Sequence, residues 1–182
     1  MTTGFHVPGM STKDSETVVE TLQGRLYAYN DLHLTLKHVH WNVVGPTFIA
    51  VHEMIDPQVD AVRAFADEVA ERIATMGGTP IGTPGKLVEA RTWHEYSIGK
   101  ETAQAHLGAL DLVYTGLIED SRKAIDVVGE LDAITEDLLI GHTGQLEQFQ
   151  WFIRAHLENS TGHLSTEGAK TEKQAAKAAN DA

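Results

Sequence analysis

At 182 residues, with 42% hydrophobic and 22% charged side chains, the chain suits one globular domain and excludes a disordered or fibrous one. It has no cysteine, which removes disulfides, thiolate metal sites and thiol nucleophiles. The formal charge of -12 is concentrated between residues 111 and 137, where eight acids stand against Arg122 and Lys123; such a field draws cations and repels phosphate backbones.

The first dozen residues, with Gly4, Pro8 and Gly9, read as an arm over residues 1–11. They hold no apolar stretch of signal-peptide length, and no run approaches the ~18 apolar residues of a membrane span, so a soluble cytoplasmic protein is expected. Ser11 or Thr12 caps a first helix whose apolar seam runs Leu22, Leu26, Tyr29, His33, Leu36, His40. Gly45 and Pro46 end it. Thr47 then opens a second helix with the seam Phe48, Val51, Ile55, Val59, Val62, Ala66, Val69, Ile73, Met76, closed by Gly77 and Gly78. Pro57, inside it, removes one backbone hydrogen bond to Glu53 and should kink it locally.

Residues 77–99 are too long for a plain turn, and Thr83-Pro84 before KLVEA signals a short helix within them. A third long helix shows Ala103, Leu107, Leu110, Tyr114, Leu117, Ser121, Ala124, Val128, and a fourth shows Leu139, His142, Leu146, Phe149, Ile153, His156. Trp151 is assigned to the core of that fourth helix. The fold class is therefore all-α: a ferritin-like four-helix bundle over residues 12–159, with a long crossover carrying a short extra helix between the second and third helices. Residues 160–182, small and polar, read as a flexible tail.

The chemistry gathers between His38 and Met76. His52 and Asp56 are four apart, as are Asp67 and Glu71, so each pair shares a helix face. Asp56 and Asp67 are eleven apart, about three turns, which puts all four in one stripe beside the core seam. His40 should come level with His52 across the Gly-Pro break. Two imidazoles and three carboxylates suit a first-row transition metal such as iron. Taken singly, His-x-x-x-Asp is more often a surface salt bridge, Asp67 with Glu71 a solvated face, and His40 a hydrogen-bonded core histidine. HEMID is not the HExxH of zinc proteases, because Asp56 stands where the second histidine belongs. No histidine has a glutamate three residues before it, which excludes the Glu-x-x-His form of di-iron bundle.

The stretch KHVHWNVVGPTFIAVHEMIDPQVDAVRAFADEVAERI resembles the signature of the Dps family, the mini-ferritins of starved or stressed bacteria, and the similarity covers roughly residues 12 to 158. The resemblance implies that the histidine of HWN, the histidine and aspartate of HExxD and the aspartate and glutamate of DxxxE form a ferroxidase centre, here His40, His52, Asp56, Asp67 and Glu71. It implies a hollow dodecamer that oxidises ferrous iron, preferentially with hydrogen peroxide, and keeps ferric mineral inside, with no organic cofactor. It also implies that Asp132 and Asp137 line an iron-entry pore at a three-fold axis. The alternative is that Asp132 caps a helix and Asp137 is an ordinary dipole-stabilised acid. Trp41, beside His40, is either core packing or a sink for stray oxidising equivalents.

Two features depart from the family. Pro57 directly follows Asp56, and the tails lack the basic excess that DNA-condensing members use: Lys170, Lys173 and Lys177 are balanced by Glu167, Glu172 and Asp181. DNA binding is expected to be weak or absent; a DNA-coating structural protein is the alternative function. Helix geometry adds one more expectation. His52 and Asp56 lie eleven to nineteen residues from Asp67 and Glu71, or roughly 17 to 28 Å along a straight helix, so a single chain cannot close one site. Two chains packed antiparallel about a two-fold axis near Ala61 and Val62 would close two.

Overall fold

The computed structural model describes residues 7–182, so the expected arm over residues 1–11 falls partly outside the described residues. The elements are α1 (Thr12–Asn42), β1 (Val43–Val44), α2 (Phe48–Thr75), α3 (Pro84–Ala90), β2 (Glu101–Thr102), α4 (Ala103–Gly129), α5 (Ala133–Leu157) and α6 (Glu172–Asn180). Helix ends follow the local signals. The Asp14 amide donates to Ser11 Oγ at 3.1 Å, capping α1. Gly45 takes a φ of 103°, available to glycine at little cost, and turns the chain into α2. At the far end of α2, Gly77 (φ 83°) lets its own amide reach Ala74 O at 3.0 Å and the Gly78 amide reach Ile73 O at 2.9 Å. α2 runs unbroken from Phe48 to Thr75 with Pro57 inside it.

The chain forms two compact units. The first takes the chain up to His33 with Asp60–Trp93 and Asp120–Thr143; the second takes Leu34–Val59, His94–Glu119 and Gly144–Ala182. Each contains a segment of α1, α2, α4 and α5. In the first, Leu22, Tyr29, Val62, Val69, Ile73, Met76 and Leu139 are buried. Arg25 Nη1 reaches Ser121 Oγ at 3.2 Å, and Trp93 Nε1 donates to Asp31 at 2.6 Å to hold the segment after α3. In the second, Leu36, Val51, Ile55, Leu107, Leu110, Leu146 and Ile153 are buried, and the buried Tyr114 hydroxyl donates to Gln58 Oε1 at 2.7 Å. The seams expected from periodicity are thus largely the buried faces. Phe48 and His156, at helix ends, are exposed.

Three features differ from the sequence reading. A two-residue parallel ladder pairs Val43 with Glu101 and Val44 with Thr102, tying the end of α1 to the start of α4. Trp151 is 63% exposed rather than in the core. It lies two residues from both Phe149 and Ile153, about 200° around the helix, so the seam that buries those residues turns Trp151 outward. Residues 160–182 are not a featureless tail. Thr171 caps α6, accepting from the Gln174 amide, and Ala175, Ala176 and Ala179 are buried. Glu172 Oε2 accepts from the Ser97 amide (2.6 Å) and Ser97 Oγ (2.7 Å), and Thr102 Oγ1 donates to Asn180. The narrow alanine face comes close to α4 at Gly108 and clusters with Ala105, Ala109 and Ile98, with Tyr96 packed beside them.

Candidate metal centre

His40 stands in the last turn of α1, and the Gly45 turn folds the start of α2 back beside it. The His40 and His52 rings stack, centroids 3.6 Å apart at 24°. Each ring grips the other's backbone: His40 Nδ1 is 3.1 Å from His52 O, and His52 Nδ1 is 2.9 Å from His40 O. A carbonyl oxygen only accepts, so both Nδ1 atoms carry the proton and both Nε2 atoms hold the lone pair. That tautomer leaves Nε2 of each ring able to ligate a metal ion, with the ring held by its backbone bond.

Asp56, one turn after His52, puts Oδ1 3.1 Å from His40 Nδ1. The same oxygen is 3.1 Å from Lys37 Nζ. Lys37, absent from the sequence reading, also lies 5.8 Å from the Trp41 ring centroid. Its signal was in the sequence, because Lys37 precedes His40 by three residues and so shares its helix face. Trp41 is 71% exposed, which removes the core-packing alternative.

Asp67 and Glu71 stand exposed on the later turns of α2. Among the described residues no three His, Asp or Glu side chains are arranged to hold one metal ion. His40 touches both His52 and Asp56 in the second compact unit; Asp67 and Glu71 belong to the first.

Asp132 caps α5. Its Oδ2 accepts from the Thr135 amide at 3.1 Å, from Thr135 Oγ1, and from Arg72 Nη2 at 2.6 Å. Burial pushes this carboxyl up, yet the Thr135 and Arg72 contacts outweigh it and hold the group below the ordinary aspartate range. Asp132 is thus a cap and ion-pair partner; Asp137 is the exposed acid of the two.

A model of the ferritin-like domain matches residues 19–161. The chain is 62% identical to the DNA protection during starvation protein of Mycolicibacterium smegmatis, over 96% of this chain and 95% of that one. The chain belongs to the Dps family. The solved structure of Mycobacterium smegmatis Dps superposes on this Dps chain with a TM-score of 0.92 at 62% identity, covering 94% of this chain and 98% of that one. DpsA14 from Streptomyces coelicolor gives 0.89 at 61% identity, over 90% and 98%. The fold is accordingly the ferritin-like four-helix bundle of Dps proteins, built from α1, α2, α4 and α5 with α3 in the crossover. Among the described residues, no helix of this Dps chain is long and apolar enough to cross a membrane.

Proposed function

We propose that the chain is a cytoplasmic ferroxidase and iron store: it oxidises ferrous iron, preferentially with hydrogen peroxide, and keeps the ferric product as mineral inside a homododecamer, shielding DNA from oxidative damage. The observation that carries this reading is the reciprocal bonding of His40 and His52, which turns both Nε2 lone pairs away from the backbone carbonyls, with Asp56 Oδ1 3.1 Å from His40 Nδ1. Iron is the substrate here. Imidazole nitrogens hold ferrous ions, and the hard oxygens of Asp56, Asp67 and Glu71 favour the ferric product, which eases electron loss.

The five ligands meet across a two-fold contact between chains. His40, His52 and Asp56 of one chain face Asp67 and Glu71 of another, because a continuous α2 separates the two groups by more than a metal centre spans. Two ferrous ions give one electron each; one peroxide takes both with two protons and leaves as two waters. Paired delivery avoids the hydroxyl radical that a single-electron step would release. The acids between residues 111 and 137 raise the local concentration of ferrous ions, and Asp137 at a three-fold pore guides entry. Adding peroxide anaerobically to ferrous-loaded protein should produce a protein-bound ferric absorbance at one peroxide per two irons. Iron that stays ferrous, or oxidises at the rate of free iron, would refute this reading.

DNA binding is a second reading, favoured by one observation. Lys170, Lys173 and Lys177 all stand exposed, free of burial in the α6 seat. Three lysines per chain, on a total charge of -12, neutralise few phosphates. A mobility shift at ~0.15 M salt that disappears on deleting residues 160–182 would establish it.

A further inference from the structure

Inside the second compact unit, the crossover meets the start of α4 in a cluster of rings. His106, in the first turn of α4, is 0% exposed, and its Nδ1 lies 2.9 Å from the Tyr96 hydroxyl. The two rings are nearly parallel, centroids 6.1 Å apart at 12°, and Tyr96 meets His38 of α1 edge to face at 5.8 Å.

Tyr96 joins this cluster to α6. Its ring packs against Ile98, Ala105, Ala109 and Ala176, the last of these from α6. The residues beside it are tied down as well: the Ser97 amide and hydroxyl donate to Glu172 at 2.6 and 2.7 Å, and His38 Nε2 donates to the Ile98 carbonyl at 2.8 Å. At the other end of α6, Thr102 Oγ1 donates to Asn180. With nine residues α6 is too short to stay helical in water by itself, so its order depends on this seat.

The proton on His106 can be placed. The backbones of Asn42 and Gly99 favour the charged ring, as carbonyls near an N–H do, though no hydrogen bond of good geometry reaches Nε2. Nε2 therefore carries the proton, and the Nδ1 lone pair accepts from the Tyr96 hydroxyl. A second proton can go only to Nδ1, the atom that holds Tyr96. Two donors would then face each other, and the phenol would have to turn its hydrogen away. Of the charged and titratable groups around the ring, Glu101 of β2 favours the imidazolium and His38 of α1 opposes it, while Glu172 of α6 acts on the Tyr96 phenol. Burial is the largest influence and lowers the His106 pKa below the ordinary histidine value.

We propose that His106 is an acid-sensitive latch for α6: a proton arriving at Nδ1 breaks the Tyr96 bond, loosens residues 96–98 and lets α6 leave its seat. The open state binds this proton more tightly than the docked state. Docking is therefore at full strength above about pH 6.5 and weakens as the pH falls below it. α6 opens before α4 because it is seated by three alanines and its end clasps, whereas Leu107, Leu110 and Tyr114 anchor α4 in the core. The released segment carries Lys173 and Lys177, so acid turns two fixed cations into a mobile arm. The latch needs neither iron nor DNA and is independent of the function proposed above.

The test is amide hydrogen exchange on the full-length assembled protein at pH 5.5 and 7.5, expressed as protection factors so that the intrinsic pH dependence of exchange is divided out. In the wild type, protection of residues 173–180 should fall several-fold at pH 5.5, and by at most about tenfold, the limit for one proton and one pH unit. Protection of residues 107–114 should stay high. His106→Asn keeps an acceptor near the place of Nδ1 and cannot take a proton, so its α6 protection should be equal at both pH values. Tyr96→Phe lacks the bond and should show at pH 7.5 the low protection that the wild type reaches at pH 5.5. Wild-type protection that ignores pH, or a fall in His106→Asn equal to that in the wild type, would overturn the proposal. Equal loss in residues 107–114 would overturn it too, because the whole unit would then be loosening. Should His106→Asn fail to assemble, Tyr96→Phe decides: wild-type protection of α6 at pH 7.5 in that variant would refute the latch.

Discussion

Lys37 holds its ammonium 3.1 Å from Asp56 Oδ1, the same oxygen that faces His40 Nδ1. A side-chain cation therefore occupies the carboxylate that the proposed function gives to iron, and a ferrous ion must displace it. The pair is partly exposed, 24% and 51%, so it opposes binding by at most ~1 kcal/mol. Lys37→Met, which keeps the stem over Trp41, should tighten ferrous binding by up to about fivefold in anaerobic titration. Unchanged or weaker binding would mean that Lys37 does not compete.

The inter-chain centre can be tested by mixing. A His52→Ala, Asp56→Ala chain and an Asp67→Ala, Glu71→Ala chain should each be inactive in ferrous oxidation. Co-assembled, a heterodimer regains one intact centre of its two, so activity should return. Mixed assemblies that demonstrably exchange subunits, yet remain as inactive as either parent, would place the ligands elsewhere.

Asp132 makes a prediction about pH. Its folded-state pKa is depressed, so its contribution to stability is present above the unfolded aspartate value, about 3.9, and is lost as pH falls through the lower folded value. Asp132→Ala should lower stability at pH 7 by about 1–2 kcal/mol, as removing a helix cap does. In urea titrations at fixed protein concentration the gap from wild type should close below pH 4. A gap that persists in acid would assign the loss to packing instead of charge.

Gly108 is where α6 meets α4. A Cβ there would lie 2.6 Å from the Ala175 carbonyl oxygen and 2.9 Å from Ala179 Cβ, too close for any real side chain. Gly108→Ala should push α6 off its seat, since overpacking of this kind costs about 1–3 kcal/mol. The readout is trypsin cleavage after Lys173 and Lys177, faster in the variant while the rest of the chain stays resistant. Equal protection in both proteins would show that α6 accommodates the methyl group.

How much was legible without coordinates depended on sequence distance. The helix ends at Gly45, Gly77 and Pro84 follow from φ preferences and from hydrogen bonds within a turn or two. The buried faces follow from the 3.6-residue period, and the pairing of His52 with Asp56 and Asp67 with Glu71 from four-residue spacing. Trp151 belonged to this class too: its place opposite Phe149 and Ile153 was readable from the period, and its apolar character misled. Other features were not local. The ladder joining Val43 to Glu101, the Arg72–Asp132 ion pair, the alanine seat of α6 on Gly108 and the Tyr29–His142 contact join residues 58 to 113 positions apart. The sequence by itself determined which residues share a helix face, because backbone geometry repeats every turn. Only the tertiary structure decided which faces meet, because that rests on packing and charge pairing between segments that no local period relates.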